Sequence, residues 1–316
     1  MTVALTFPGQ GSQHVGMGAK LAEAFPAARA VFEEVDDALS EKLSQIMWNG
    51  PDETLTLTEN AQPALMAVSL AVMRVLESEA GLDPARDVAF VAGHSLGEYS
   101  ALAAAGTFTL ADTARLLRTR GRAMQEAVPV GQGAMAAVLG LDLDAVRAVA
   151  DEAAGEAEVC QVANDNAPGQ VVVSGSAPAV ERAVLLAKEQ GARRAIMLPV
   201  SAPFHCALMK PAAEVMADAL EQVTMKPPAV PLVANVTAAA VSEPYEIRMR
   251  LCEQVTGAVR WRESVAYMAE NGVDRFFEIG AGKVLTGLAK RIASGATAAN
   301  VGAPEDIGAF AEAMRG

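Results

Sequence analysis

Residues 93–97 read Gly-His-Ser-Leu-Gly, the pattern Gly-x-Ser-x-Gly, and they lie between a short apolar run and a helical pattern. In enzymes with this arrangement, a sharp turn from strand to helix exposes the serine Oγ, and the two glycines let the strand and the helix approach each other. The first N–H groups of the helix lie where an oxyanion would form. We therefore predict that Ser95 is a nucleophile.

A serine nucleophile needs a base, and the chain contains three histidines. His94 directly precedes Ser95, where the turn should direct its side chain away from the serine oxygen. His14 lies in a glycine-rich loop with no evident orienting neighbour. His205 follows a predicted strand, and Pro203 should stiffen the loop that carries it. His205 is the predicted base.

A glycine-rich segment, Phe-Pro-Gly-Gln-Gly-Ser-Gln at 7–13, follows the first predicted strand. It has His14 where the dinucleotide pattern needs a third glycine, and Met17 where a P-loop needs lysine. A nucleotide site is therefore not expected. Two interpretations stay open: the loop supplies a second N–H to an oxyanion hole, or it is a structural turn.

The segment 110–126 has the apolar periodicity of an amphipathic helix. Arg115 and Arg122 are predicted to point away from its apolar face, whereas Arg120 lies beside that face. Its guanidinium could reach a cleft and bind a carboxylate with two hydrogen bonds. The alternative is an arginine that packs its aliphatic stem and keeps its charge in solvent.

Alternating strands and helices predict an α/β fold with a mainly parallel sheet around these residues. The strands are expected at 3–7, 88–92, 232–235 and 275–279, and the helices include 19–32, 62–79, 97–106 and 110–126. Between them lies a βαββαβ pattern, typical of a ferredoxin-like unit, at 134–140, 143–154, 158–163, 170–174, 178–191 and 194–199. We expect a large α/β-hydrolase-like domain, 1–128 and 200–316, interrupted by a small ferredoxin-like (α+β) subdomain, 129–199.

Composition restricts the function further. With 25 basic and 38 acidic side chains the net charge is −13, so a nucleic acid is not an expected partner. Three widely separated cysteines predict neither a disulfide framework nor a zinc site. The apolar opening is too short for a signal peptide, and no apolar run approaches the roughly 18 residues of a membrane helix. We expect a cytoplasmic protein without a membrane partner.

Several motifs together resemble the malonyl-CoA:acyl carrier protein transacylase family. The resemblance runs from about Thr6 to Arg291 and rests on residues 7–13, 93–102, 120–129, 164–170, 204–211 and 282–288. Two departures stand out: Ala281 where proline is common, and Thr-Gly-Ala at 256–258 in place of the usual Asn-Pro pairing. The second could alter how the neighbouring Gln254 is held.

The resemblance implies roles for particular residues. Ser95 would be the nucleophile and His205 the base, with Gln10 and Leu96 providing the oxyanion N–H groups. The backbone carbonyl of Gln254 would orient the histidine, so that no third carboxylate is needed.

The resemblance also implies how substrate is recognised. Arg120 would hold the malonyl carboxylate, Phe204 looks like the malonyl-selecting variant, and Asn164 would contact substrate.

The implied reaction is a ping-pong transfer of malonyl from malonyl-CoA to acyl carrier protein for fatty acid synthesis. We expect a monomer with no tightly bound cofactor and no metal. The competing interpretation is a serine hydrolase, a patatin-like lipase or thioesterase, that uses the same serine and histidine. Because the carrier protein family is acidic, docking requires a local basic rim, whose candidates are Lys188, Arg193, Arg194, Lys283, Lys290 and Arg291.

Overall fold

The computed structural model describes residues 2–200 and 202–315. Positions 1 and 316, which end the expected large domain, and position 201, in the segment that the sequence predicts as a loop before His205, lie outside the described residues. The strands are β1 (Val3–Phe7), β2 (Phe90–Gly93), β3 (Gly133–Leu139), β4 (Cys160–Ala167), β5 (Gln170–Ser176), β6 (Arg194–Met197), β7 (Leu232–Ala234), β8 (Ala239–Val241), β9 (Arg275–Ile279) and β10 (Thr297–Val301).

The described helices lie between and after these strands, with six of them between β1 and β2. They are α1 (Ala19–Ala24), α2 (Pro26–Leu39), α3 (Leu43–Asn49), α4 (Asp52–Thr56), α5 (Thr58–Ala80), α6 (Pro84–Asp87), α7 (Gly97–Ala104), α8 (Leu110–Glu126), α9 (Leu143–Ala154), α10 (Ala177–Glu189), α11 (Lys210–Glu221), α12 (Pro244–Thr256), α13 (Trp261–Glu270), α14 (Val284–Ile292) and α15 (Asp306–Arg315).

A six-stranded sheet forms the centre of the larger part, in the order β10-β9-β1-β2-β7-β8. Every pairing in it is parallel except that of β7 with β8. The carboxyl ends of parallel strands lie at one edge of a sheet, where α/β proteins bind their ligands. The segments that follow β1, β2 and β7 therefore lie close together, and they contain Gln10, Ser95 and Asn235.

A second sheet, in the order β4-β5-β3-β6, is antiparallel throughout and has its own apolar core with α9 and α10. It is joined to the larger part through β4. The Asp165 N–H donates to the Val259 carbonyl at 2.9 Å, and the Val259 N–H donates to the Ala163 carbonyl at 2.8 Å. These bonds place Asn164 beside the carboxyl edge of the parallel sheet.

Helices α5 and α8 approach each other closely at Gly121. A Cβ built there would lie 2.6 Å from the Glu59 Cα and 2.6 Å from the Thr58 carbonyl oxygen, so the contact requires glycine. This approach brings Gln62 on α5 within hydrogen-bond distance of Arg120 on α8. Arg120, the most buried arginine of α8, is thus held by a side chain from the start of α5.

The expected mixed α/β fold with a mainly parallel sheet is confirmed, while several element bounds were wrong. The helix expected at 19–32 is divided at Phe25, which is extended because Pro26 follows it. The strand expected at 88–92 spans Phe90–Gly93. The alanine-rich segment after Ser294, for which the sequence gives no prediction, forms β10 beside β9 and then α15. No helix in the described part of the chain has both the length and the apolarity needed to cross a membrane.

Candidate active site

Ser95 lies in a tight turn between β2 and α7. Its φ is 54°, a left-handed conformation that is rare for residues other than glycine. A Cβ on Gly93 would lie 1.8 Å from the Gly97 carbonyl carbon, and a Cβ on Gly97 would lie 2.2 Å from the Phe7 carbonyl oxygen. Both glycines of the pattern are therefore required by close backbone contacts, and the turn projects the Ser95 side chain into a cavity.

His205 is hydrogen-bonded to Ser95, with 2.8 Å between its Nε2 and the serine Oγ. Its Nδ1 lies 2.9 Å from the carbonyl oxygen of Gln254 and 3.2 Å from that of Gly257. Since a carbonyl oxygen can only accept, Nδ1 carries the proton and Nε2 is left to accept one from Ser95. Two backbone carbonyls thus orient the ring where many serine enzymes use a carboxylate.

Burial and the nearby Arg120 charge lower the pKa of His205 to about 3. Both effects disfavour the imidazolium, because a buried cation loses hydration and is repelled by a second cation. The ring is therefore neutral at neutral pH and able to accept the serine proton.

The Arg120 guanidinium is 1% exposed and contacts the same serine. Its Nη2 donates to Ser95 Oγ at 3.1 Å and to Gln254 Oε1 at 2.8 Å, while Nη1 donates to Gln62 Oε1 at 2.8 Å. Arg115 and Arg122 are more than half exposed, which confirms their expected orientation. A buried cation beside the nucleophile can bind an anionic group of a substrate.

Two residues that line the cavity have backbone N–H groups without an acceptor among the described residues. Within the described residues, the backbone N–H groups of Gln10 and Leu96 make no hydrogen bond, although both residues line the cavity with Ser95. The Ser95 N–H is by contrast bonded to Asn235 Oδ1 at 2.8 Å. The first two groups are therefore available to an oxyanion, and the third is not.

The cavity has a volume of about 360 Å³ and lies between the two sheets. Asn164 from β4 and Met135 from β3 line one side, and Phe204, 8% exposed, lines it next to His205. All eight residues to which the resemblance assigns a catalytic, orienting or substrate-binding role lie in or beside this cavity, Gln254 through its contacts with Arg120 and His205.

The other two histidines have different surroundings. His94 lines the same cavity, but its Nε2 lies 2.8 Å from Asn166 Oδ1 and its ring packs against Trp261. Nδ1 of His14 lies 3.4 Å from the Ser12 carbonyl oxygen, in the loop beyond Gln10.

Four contributors were missed from the sequence: Gln62, Glu98, Asn235 and Gly257. Gln62 contacts Arg120, and Gly257, in one of the noted departures, supplies a carbonyl to His205. Asn235 follows β7 at the carboxyl edge of the sheet, a position that could have been recognised. Glu98 stands next to the serine motif but carried no spacing signal.

Glu98 is a buried carboxyl group, 1% exposed, on the first turn of α7. It accepts the Asn235 N–H at 2.6 Å and a hydrogen bond from Gln254 Nε2. Burial raises the pKa of Glu98 to about 8, against the lowering by these two donors and by the charge of Arg120. No group of three or more metal-ligating side chains is assembled in the described part of the chain.

The arrangement suits acyl transfer through a serine ester, since a serine, a neutral histidine bonded to it and two N–H groups without a protein acceptor lie together at one cavity. The model of the acyl transferase domain family matches residues 5–314. The chain belongs to this acyltransferase family. The match spans nearly all of the described residues, including both sheets.

Relatives within the family have a common name. The chain is 48% identical over 305 residues to the malonyl CoA-acyl carrier protein transacylase of Bacillus subtilis, covering 96% of this chain and 95% of the relative. It is also 48% identical over 309 residues to that of Escherichia coli K12, covering 98% of each.

Solved structures agree with this relationship. The acyl-carrier-protein S-malonyltransferase of Bartonella henselae is 59% identical with a TM-score of 0.97 and full coverage of both chains. A malonyl-transacylase solved in complex with a type II PKS acyl-carrier protein is 43% identical with a TM-score of 0.95, covering 99% of this chain and 100% of the other.

Proposed function

We propose that this protein transfers the malonyl group from malonyl-CoA to the phosphopantetheine thiol of acyl carrier protein and so supplies extender units for fatty acid synthesis. The observation that carries the proposal is the buried Arg120 guanidinium, 3.1 Å from the oxygen of a serine that is already paired with a histidine. The names of the relatives support the same reaction.

In the first half-reaction, His205 Nε2 takes the hydroxyl proton as Ser95 Oγ attacks the thioester carbonyl carbon. The resulting oxyanion accepts hydrogen bonds from the N–H groups of Gln10 and Leu96. When the carbon–sulfur bond breaks, His205 returns the proton to the coenzyme A sulfur, and malonyl remains on Ser95 as an ester. Each oxyanion donor in such sites contributes about 10²–10³ in rate.

In the second half-reaction, the phosphopantetheine thiol of the carrier protein gives its proton to His205 and attacks the ester carbonyl. The same N–H groups stabilise the second tetrahedral intermediate. The carbon–oxygen bond then breaks, and His205 returns the proton to Ser95 Oγ. The enzyme is restored with no cofactor consumed, and none is proposed.

Arg120 binds the malonyl carboxylate in this scheme, with Phe204 and Asn164 contacting the rest of the bound group. A charge-assisted hydrogen bond of this kind contributes about 1.5–3 kcal/mol. That energy corresponds to a preference for malonyl over acetyl of about one to two decades.

We further propose that the antiparallel sheet with α9 and α10 is a ferredoxin-like subdomain spanning 129–199. Its strand order and its βαββαβ sequence support this assignment. The parts 1–128 and 200–316 would form one α/β-hydrolase-like domain. A monomeric cytoplasmic protein is also proposed, and three free thiols suit a reducing compartment.

The decisive experiment mixes the protein with malonyl-CoA in the absence of acceptor and follows intact mass over time, with Ser95→Ala in parallel. We expect a persistent malonyl adduct on the unsubstituted protein, none on Ser95→Ala, and discharge on addition of holo acyl carrier protein. Rapid release of malonate into buffer without a surviving adduct would identify a serine hydrolase and overturn the proposal.

A further inference from the structure

The side-chain amide of Gln254 lies between two buried ionisable groups. Its Oε1 accepts from Arg120 Nη2 at 2.8 Å. Its Nε2 donates to Glu98 Oε2 and also to the Ser95 carbonyl oxygen at 2.8 Å. Gln254 is itself fully buried, so these protein groups decide which way its amide points.

All three groups that accept hydrogen bonds from Arg120 are uncharged: the amides of Gln62 and Gln254 and the hydroxyl of Ser95. Within the described residues, Arg120 forms no ion pair with a carboxylate. The carboxyl group that favours its charge is Glu98, which lies on the other side of the Gln254 amide. The two groups therefore act on each other through that amide.

The hydrogen bonds of Glu98 leave the amide one satisfactory orientation. Glu98 Oε1 already accepts the Asn235 N–H at 2.6 Å, so Oε2 is the atom that meets Gln254. If the amide were turned by 180°, its oxygen would face Glu98 Oε2 and the Ser95 carbonyl, and its N–H groups would face Arg120. The hydrogen bonds with Arg120 and with the Ser95 carbonyl would be replaced by repulsive contacts in either protonation state of Glu98, and each buried unpaired group is costly.

We propose that Glu98 is a positioning residue that fixes the Gln254 amide and, through it, the Arg120 guanidinium, and so determines the preference for acyl groups that carry a carboxylate. The inference rests on the proposed function, because it concerns how malonyl is distinguished from acetyl. Glu98 itself contacts neither the Ser95 oxygen nor the space where the acyl group binds.

The test is Glu98→Gln, which keeps the size of the side chain but introduces an NH₂ group. That group cannot accept, so either the Asn235 N–H or the Gln254 NH₂ loses its acceptor, and the Gln254 amide is free to turn. We expect the ratio of malonyl to acetyl acylation rates on Ser95 to fall about tenfold, the effect of one charge-assisted hydrogen bond. The acetyl rate should fall less than the malonyl rate, since an acetyl group has no carboxylate for Arg120 to bind.

Glu278→Gln is the matched control. Glu278 is likewise a buried carboxyl group, 1% exposed, and accepts two backbone N–H groups, from Leu285 at 3.1 Å and Thr286 at 2.7 Å, away from the cavity. It should lose stability in urea denaturation and keep the acyl ratio. A general loss of packing lowers both rates together, whereas loss of positioning lowers the malonyl rate selectively.

Two further variants keep the test decisive. Glu98→Asp retains an acceptor and should lower the ratio only about threefold, and it provides the measurement if Glu98→Gln does not fold. In a Gln254→Ala background, Glu98→Gln should not change the ratio further, since the two residues act in series.

The outcomes separate the two proposals. If the unsubstituted protein forms no malonyl adduct, the proposed function fails. If it forms the adduct but Glu98→Gln and Glu98→Asp keep the original ratio, or Glu98→Gln lowers the ratio equally with and without Gln254, this inference alone is overturned.

Discussion

Ser95 Oγ is contacted by two nitrogen atoms with opposite roles. His205 Nε2 accepts its proton at 2.8 Å, and Arg120 Nη2 donates to the oxygen at 3.1 Å. Burial keeps His205 neutral, the charge of Arg120 adds to that effect, and the same cation favours negative charge on the serine oxygen. One buried arginine therefore affects the base, the nucleophile and, in the proposed reaction, the substrate.

Removal of Arg120 should change specificity more than it changes catalysis. In Arg120→Ala we expect the preference for malonyl-CoA over acetyl-CoA to fall about 10- to 100-fold, because the charged hydrogen bond to the carboxylate is lost. Acylation kinetics with both thioesters measure this ratio. Arg115→Ala, an exposed arginine on the same helix, is the control and should keep it. An unchanged preference in Arg120→Ala would refute the assigned role.

The pH profile of acylation should lack the usual histidine limb. Since the pKa of His205 is lowered to about 3, the base stays unprotonated far below the ordinary histidine range. We expect kcat/KM for malonyl-CoA to vary little between about pH 8 and about pH 5. A fall centred near pH 6.5 would contradict the burial of a neutral ring.

The lowered pKa of His205 also makes the stability of the folded protein depend on pH. The folded pKa of about 3 lies below the unfolded value of 6.5, so the unfolded chain binds the proton first. The stabilising contribution of His205 to the free energy of unfolding is present above pH 6.5 and is lost as the pH falls toward 3. In urea denaturation, His205→Gln should lose stability less steeply over that range than the unsubstituted protein. Glu98 has the opposite effect on the free energy of unfolding, because its pKa is raised from 4.5 to about 8 in the folded protein. Its contribution to stability is lost as the pH rises from 4.5 through about 8.

At the level of elements, the turn from β2 to α7 determines where Ser95 lies. The strand is only four residues long, and the helix begins four residues after its end. The close contacts of Gly93 with the Gly97 backbone and of Gly97 with the Phe7 carbonyl leave no space for a side chain. The glycines are thus needed for packing as well as for the turn.

Gly97→Ala should destabilise the fold by about 1–3 kcal/mol or more, because its Cβ would meet backbone atoms that cannot move away. Gly287→Ala is the matched control within α14, since a Cβ there meets nothing within 4 Å. That variant should gain about 0.5–1 kcal/mol from helix propensity. Thermal or urea unfolding of the two variants measures the difference. Equal effects of the two substitutions would show that the turn from β2 to α7 tolerates a side chain at Gly97.

At the level of the whole molecule, the antiparallel sheet closes the cavity over the carboxyl edge of the parallel sheet. The bonds between β4 and Val259 are supported by an ion pair in which the Arg262 Nη2 lies 2.8 Å from Asp165 Oδ2. Asp165 is nearly buried, and Asn164 and Asn166 on either side of it face the cavity and His94. The small sheet thus contributes directly to the site.

Part of the candidate basic rim gathers at the turn between β4 and β5. Arg291 on α14 donates to the Pro168 carbonyl at 2.9 Å, and Arg193 lies next to Gly140 near the same turn. Arg194 opens the edge strand β6 and is exposed. Arg291 therefore joins α14 to the turn of the antiparallel sheet. Arg194, and Lys290 next to Arg291 on α14, are exposed to solvent.

Charge reversal at this rim should weaken transfer to the carrier protein. We expect Arg194→Glu or Lys290→Glu to raise KM for holo acyl carrier protein about fivefold at low salt, with a smaller effect as salt screens the charges. Lys226→Glu, an exposed lysine on the loop that bonds to Thr107, is the control. If transfer and its salt dependence are unchanged in the rim variants, docking uses another surface.

The sequence by itself determined the elements and residues whose signals are local. The Gly-x-Ser-x-Gly pattern, the apolar strand before it and the helix after it placed Ser95, because a tight turn is specified by a few adjacent residues. The strands at 3–7 and 275–279 were likewise predicted from short apolar runs, and the βαββαβ order from the succession of strand-like and helix-like segments. The small number of histidines made His205 a candidate without any structure.

Only the tertiary structure decided how these residues meet. Gln62 on α5, Glu98 on α7 and Asn235 after β7 lie far apart along the chain. Asn235 had a positional signal at the end of a predicted strand, but nothing local marks Gln62 as a partner of Arg120 or Glu98 as a partner of Gln254. The same holds for β10, whose alanine-rich sequence becomes a strand because β9 lies beside it. Long-range hydrogen bonds and burial depend on which segments pack together, and spacing along a single chain does not encode that packing locally.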